Sequence, residues 1–379
     1  MIYLDNGATS FPKPKGMLQA MEECMAKYCG NPGRSGHFMS MKTGEKVYQA
    51  RRNLADFFGV EDGERLVFTK NATEALNVGI KGVLKSGDGV ITTSMEHNSV
   101  LRPLRHLEKK GVNHVIVSGN KEGYVSGEEI EKNIKPDTKL IVVTAASNVT
   151  GTKMPLKQIG EIAKKRNVLF MVDAAQGAGT MKINVKEMNI DILAFPGHKG
   201  LLGPLGTGGL YVRKGINLES LIEGGTGTES KNRTQPREFP DGFESGTVNA
   251  PGIIGLSWSA EYVNKIGIDV IEMYERELIE YLDQELDQMS FVTRYGPCAK
   301  QKTGITLLNI EGISSEELTA KLNSDYNIAV RGGFHCAGLA HKTIGTWNTG
   351  GVRVSISPFS TKTEIKALAD ALWDIGKHR

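Results

Sequence analysis

The sequence predicts an α/β protein: a large domain with a mostly parallel central sheet covered by helices, then a smaller C-terminal α+β domain. Three observations lead there. Apolar runs of strand length alternate with segments of helical periodicity from "RLVFT" at 65–69 to "GGLYV". The runs "LIVV" and "VLFMV" are apolar at every position, as strands buried on both faces require. Beyond about residue 255 the texture shifts to long helices and short strands.

In chain order, "MIYLDNGATS" reaches a polar turn after four residues and lacks the basic start and apolar run of a secretory signal. "LQAMEECMAKYCG" reads as a helix and its end. "RLVFT" leads into the helix-like "ATEALNVGIKGVLK". "DGVITTS", "HVIVS", "KLIVVTAAS", "VLFMVDAA", "DILAFPG" and "GGLYV" continue the strands. Between them lie the helical "SVLRPLRHLEKKG", "SGEEIEKNI" and "PLKQIGEIAKKRN". Residues 1–15 form an N-terminal segment expected near the small domain, 16–255 the large domain and 256–379 the small one. In the latter, "IIGLSWSAEYVNKIG", "VIEMYERELIEYLDQELDQM" and "KTEIKALADALWDIG" read as helices, and "FVTRYG", "GITLLNI", "IAVRG" and "GVRVSIS" as short strands.

Bulk properties exclude several function classes. At 379 residues with 23% charged side chains and a formal net charge of +3, nothing favours a nucleic-acid or membrane partner. No stretch approaches a membrane span. The four cysteines, Cys24, Cys29, Cys298 and Cys336, form no CxxC pair and no zinc spacing, so no metal site is expected. They suit a reducing, cytoplasmic compartment, with Cys24 and Cys29 read as structural. The 45 glycines cluster at turns such as "GLLGPLGTGG" and "RGG".

Ligands of doubly wound sheets bind beyond the C-terminal ends of strands, so the polar residues there carry the chemistry. They include Glu96 and His97, Ser147 and Asn148, Asp173 and Gln176, and His198 and Lys199. Asn71, Ala72 and Thr73 run from a strand end into a helix, where free amides and a hydroxyl make either a cap or an anion site. No GxGxxG with a following acid and no GxxxxGK[ST] is present. Asp173, ending an apolar strand, needs a positive or protonated partner. Each residue alone has an ordinary structural reading: Asp173 as a helix cap, Lys199 in a salt bridge. Together they match what pyridoxal phosphate requires, namely a lysine for its aldehyde, a carboxylate for its ring nitrogen, an imidazole face and a helix start for its phosphate.

The chain also resembles the cysteine desulfurase and selenocysteine lyase family, fold type I pyridoxal-phosphate enzymes of the class V aminotransferase group. The resemblance runs through "YLDNGAT", "NPGRSGH", "FTKNATEALN", "MEHNS", "SNVTG", "VDAAQ", "GHK", "FESGT", "RGGFHC" and "VRVSISPFST". It implies that Lys199 holds the cofactor, Asp173 pairs its ring nitrogen and Gln176 its phenolic oxygen. His97 stacks on the ring, and Thr73, the Ala72 amide and His198 hold the phosphate. Thr247 reaches the phosphate of the neighbouring subunit in a homodimer with shared sites. Asn148 and Arg353 bind the substrate carboxylate, and Cys336 accepts sulfur from L-cysteine, leaving L-alanine. The implied partner is a small acceptor or scaffold protein on the route to iron–sulfur clusters, thiolated RNA or another cofactor. "RGGFHC" resembles the branch with a short catalytic loop.

Three positions depart from the family pattern: Pro196 for a serine that contacts the phosphate, Gly7 for alanine, and Ala145 where the nearest branch often has histidine. Selenocysteine lyase, cysteine sulfinate desulfinase and an epimerase would share Lys199 and Asp173. A non-catalytic sulfur-relay or partner-binding protein is the rival of a different class. From the residues alone, Cys336 is a core thiol or a nucleophile, His335 tunes it or points away, and Arg353 is a clamp or a surface ion pair. The polar 224–247 segment lines a dimer interface or is an ordinary loop.

Overall fold

The computed structural model describes residues 1–33 and 35–378; Arg34, within "NPGRSGH", lies outside them. Strand β1 (Ile2–Tyr3) precedes helices α1 (Lys15–Lys27) and α2 (Phe38–Phe58). The large sheet takes β2 (Leu66–Thr69), β3 (Gly89–Thr93), β4 (Asn113–Val117), β5 (Thr138–Thr144), β6 (Leu169–Asp173), β7 (Ile192–Pro196) and β8 (Gly208–Val212). Between these strands run α3 (Ala72–Val83), α4 (Asn98–Glu108), α5 (Gly127–Lys132) and α6 (Leu156–Arg166).

The seven strands lie in the order β2-β8-β7-β6-β5-β3-β4. Only β8 runs against the others, because it pairs antiparallel with both β7 and β2. The chain reverses its direction of travel at β3: β4 pairs on one side of it and β5 on the other. β3, β5, β6 and β7 are then neighbours, so their C-terminal ends form one continuous rim. Alternation along β5 shows why its run is wholly apolar. Ile141 and Val143 join the core that includes Leu54 and Phe58 of α2, Ile159 of α6 and Leu193 of β7. Leu140 and Val142 join the opposite core with Leu76 of α3 and Leu104 of α4.

The chain continues through α7 (Ala250–Ile266) and α8 (Ile268–Leu286), then β9 (Val292–Tyr295), β10 (Ile305–Ile310), α9 (Ser315–Tyr326), β11 (Ile328–Ala329), α10 (Gly338–Thr343), β12 (Val352–Ser355) and α11 (Lys362–Lys377). β12, β10 and β9 make an antiparallel sheet. Leu278 and Leu282 of α8, Leu322 of α9 and Leu368 and Leu372 of α11 pack against it. α7 spans residue 255 as one unbroken helix, and its Ile253 and Leu256 belong to the core of the large sheet. "IAVRG" reads as a strand but forms only two ladder residues, paired with β1 and not with the three-stranded sheet. Beyond it, Arg331 makes a single bridge to Arg353 and the backbone turns away into a loop. Among the described residues, no helix is long and apolar enough to cross a membrane.

Candidate functional site

The rim of β3, β5, β6 and β7 opens on a cleft lined by His97, Asn148, Asp173, Gln176, His198 and Lys199, with Ala72 and Thr73 at one end. Four separate strand ends and one helix start supply these groups, so the sheet order brings together residues up to 127 positions apart, from Ala72 to Lys199. A larger cavity, about 520 Å³, opens beside Arg65 and Asp191. Its Asp191 is already engaged, accepting from the Phe170 amide at 2.9 Å and pairing with Arg213, and its Lys186 pairs with Glu61. Chemistry, not size, selects the smaller cleft.

Asn71 caps α3, its Oδ1 accepting from Glu74 N at 2.9 Å. The amides of Ala72 and Thr73 have no carbonyl four residues back to take them up, so they are available to an anion. Thr73 Oγ1 lies 2.8 Å from Ser99 Oγ, which lies 2.9 Å from His97 Nδ1. His97 is itself the N-cap of α4, its Nδ1 accepting from Ser99 N at 3.0 Å. Burial, with Lys199 and Arg331 nearby, pushes its pKa down to about 4. The ring is neutral at physiological pH, and because Nδ1 accepts, its proton sits on Nε2.

Asp173 is 2% exposed and accepts from Ala175 N at 2.9 Å. Burial raises its pKa; the Ala175 hydrogen bond and Lys199 pull the other way. Lys199 is lowered to about 8 by burial and the Arg353 charge, with Asp173 opposing, so it is still mainly protonated near neutrality but gives up its proton far more readily than a free lysine. The turn carrying it is tied down through one atom: the His198 carbonyl accepts from Ser10 N at 2.9 Å, Ser10 Oγ at 3.1 Å, Thr9 Oγ1 at 3.1 Å and Lys13 Nζ at 3.0 Å. Gln176 donates one amide proton to the Gly7 carbonyl at 2.9 Å and keeps the other.

Glu96, directly before His97, is buried with its pKa raised to about 8, chiefly by burial. Its Oε1 accepts from Thr93 Oγ1 at 2.6 Å and Thr144 N at 3.1 Å, while Oε2 has no partner among the described residues. A carboxyl raised in the folded state keeps its full stabilising contribution below its unfolded value of 4.5 and loses it as pH rises through 8. Glu96→Gln is therefore expected to gain stability over the parent as pH rises from 5 to 9, by at least about 1 kcal/mol. Paired urea midpoints check this; a gap independent of pH contradicts it.

Arg353 is 1% exposed. Its Nη2 pairs with Asp5 Oδ1 at 2.8 Å, its Nη1 donates to the Asn148 carbonyl at 3.0 Å, and its Nε is buried without a partner among the described residues. Asn148 Nδ2 in turn donates to the His335 carbonyl at 2.7 Å. Asn148 thus joins the guanidinium to the cysteine loop, and Asp5, which the sequence reading passed over, anchors the guanidinium. Arg353→Ala strands Asp5 and is expected to cost about 3 kcal/mol of stability. A urea midpoint equal to the parent's would contradict that structural role.

Cys336 is exposed, while its neighbour His335 is 2% exposed. Arg331 Nη2 lies 3.8 Å from Cys336 Sγ. Arg331 also escaped the sequence reading, although it opens the "RGGFHC" segment. Of the remaining cysteines, Cys24 is buried, but Cys29 and Cys298 are exposed. Thr247 is exposed, contacts Asn31 Nδ2 at 3.4 Å and does not line the cleft.

The class-V aminotransferase family profile matches residues 2–368. A probable cysteine desulfurase of Methanothermobacter thermautotrophicus is 36% identical, covering 99% of this chain and 94% of its own. The chain belongs to the cysteine desulfurase family. A probable cysteine desulfurase of Pyrococcus abyssi is likewise 36% identical over 100% of this chain and 94% of its own. The apo structure of the cysteine desulfurase of Thermococcus onnurineus superposes with a TM-score of 0.94 at 36% identity, covering 100% of this chain and 95% of that one. The Escherichia coli cysteine desulfurase CsdA, in an S-sulfonic acid form, gives 0.88 at 27% identity over 99% and 94%.

Two departures from the family pattern now have local consequences. A Cβ on Gly7 would stand 3.0 Å from Arg353 Cζ and 3.2 Å from Ser355 Oγ, so glycine leaves the guanidinium room. Pro196 lines the cleft and brings no hydroxyl to it. Pyridoxal phosphate, the cofactor this family implies, fits the donor set. Asp173 is a buried acid beside a place for a cation, Lys199 a buried amine whose pKa is lowered to about 8, and His198 Nδ1 a buried ring nitrogen with no partner among the described residues.

Proposed function

We propose that this protein is a pyridoxal-phosphate-dependent cysteine desulfurase that converts L-cysteine to L-alanine and receives the sulfur on Cys336 as a persulfide. One observation carries the reading. Lys199 and Asp173 stand on the same rim, and Asn148, lining that cleft, holds the loop that carries an exposed Cys336. The resemblance of the whole chain to cysteine desulfurases supports it.

In this reading Lys199 and Asp173 hold the cofactor, with Gln176 at its phenolic oxygen, His97 over its ring, and Thr73, the Ala72 amide and His198 at its phosphate. Bound there, pyridoxal phosphate supplies an electron sink for the pair left at the substrate Cα. Arg353 and Asn148 orient the substrate carboxylate, the guanidinium as a planar, charge-assisted donor. The Lys199 amine takes the Cα proton, a task suited to a lysine whose pKa is lowered to about 8. Cys336 Sγ attacks the substrate sulfur; an S–S bond forms as the Cβ–S bond breaks. The sulfur stays on Cys336 and the carbon skeleton leaves as L-alanine. His97 Nε2–H is a proton donor lining the same cleft. A small acceptor protein then removes the sulfur, and Thr247 serves the phosphate site of a second copy in a homodimer.

Incubation with L-cysteine tests the reading by following the cofactor spectrum, alanine and protein persulfide together. Alanine and persulfide in equal amounts are expected in the first turnover. Neither product from cofactor-loaded protein would refute the function. A parallel incubation with L-selenocysteine ranks the two substrates.

A further inference from the structure

His335 and Cys336 both have left-handed backbone conformations, with φ of 52° and 56°. Two successive non-glycine residues there are disfavoured and persist only where surrounding contacts hold them. The backbone supplies part of the hold: Asn98 N donates to the Cys336 carbonyl at 2.8 Å. Side chains supply the rest. His335 Nε2 lies 3.0 Å from the Arg331 carbonyl, and its Nδ1 lies 3.3 Å from His341 Nε2. His341 Nδ1 lies 2.8 Å from Thr346 Oγ1. All three side chains are buried, with His341 and Thr346 at 0% exposure.

The direction of this chain follows from its last atom. A carbonyl oxygen can only accept, so His335 Nε2 carries a proton. Burial and the Arg353 charge lower His335 to about 3, and burial lowers His341 to about 4, so each ring holds one proton. His335 Nδ1 is then an acceptor, and His341 Nε2 must donate to it. His341 Nδ1 is an acceptor in turn, and the Thr346 hydroxyl must donate to that. Both ring nitrogens of His335 are used within the loop, and the polar atom beside Cys336 Sγ belongs to Arg331.

We propose that Thr346, His341 and His335 form a one-way hydrogen-bond relay that locks the Cys336 loop in its left-handed conformation, His335 and His341 being positioning residues and not the base for the thiol. The inference rests on the reading of Cys336 as the sulfur acceptor. His341→Leu removes the donor to His335 and leaves a buried lone pair unmet, whereas His341→Gln places an amide N–H near the former Nε2. His341→Leu is expected to lower kcat for cysteine about tenfold at unchanged KM, and His341→Gln to recover most of that loss. Parental kcat in His341→Leu, or His341→Gln as slow as His341→Leu, overturns the relay.

Imidazole nitrogen-15 spectra of the unaltered, cofactor-loaded protein test it without substitution. Both His335 and His341 should be neutral Nε2–H tautomers at pH 7. A Nδ1–H tautomer or a charged ring at either position overturns the relay. Should the unaltered protein make no alanine from cysteine, the desulfurase reading falls, while these spectra still decide the relay.

Discussion

Cys336→Ala is expected to lose alanine formation from L-cysteine by about a thousandfold or more and to form no persulfide, while keeping its bound cofactor. The separation follows from placement. Cys336 is exposed on a loop and lines no part of the cleft around Lys199 and Asp173. Truncating it removes no core packing, so the fold and the cofactor groups survive the change. Its backbone carbonyl, which accepts from Asn98 N at 2.8 Å, is also retained. The cofactor absorbance and a persulfide assay read the two halves separately. Parental alanine formation by Cys336→Ala would remove the nucleophile from the mechanism. Loss of the cofactor in the same variant would show that the loop, not the cleft, retains it.

Lys199→Ala is expected to abolish turnover by about four orders of magnitude or more, because one side chain is both the covalent anchor and the Cα base. Borohydride treatment should leave the cofactor attached to the parent chain and not to the variant, as mass measurement would show. Attachment at another lysine would reassign the anchor. Added primary amines are expected to restore a small fraction of activity by supplying the missing base.

The fold was legible because its signals are local. The stretch of β5 buried on both faces, residues 140–143, must be apolar at every position, and "LIVV" is. Helical periodicity after β2, β3, β4 and β5 marks the helical connections of a largely parallel sheet. The single antiparallel strand, β8, carries no mark in its own residues, since "GGLYV" would be equally apolar in either direction. The rim residues were legible for a related reason. A carboxylate or lysine ending an apolar strand is costly without a purpose, so Asp173 and Lys199 stand out.

The supporting contacts were not legible. Asp5 meets Arg353 across 348 positions, and Asn148 reaches the His335 carbonyl across 187. Nothing near Asn148 in the chain says that its amide serves the loop; that depends on how the small domain seats on the large one. Thr346 and His341 carry no motif of their own.

The sequence by itself determined the α/β class, the strand ends that bear Asp173 and Lys199, and the presence of one cysteine in a glycine-rich loop, because periodicity and desolvation act on neighbouring residues. Whether Cys336 is core or surface lay beyond it. His335 and Cys336 are adjacent, yet one is 2% exposed and the other exposed. Only tertiary contacts decided which of them faces inward: Asn148 and His341 hold His335 in the interior, and the left-handed turn they stabilise sends the next side chain outward.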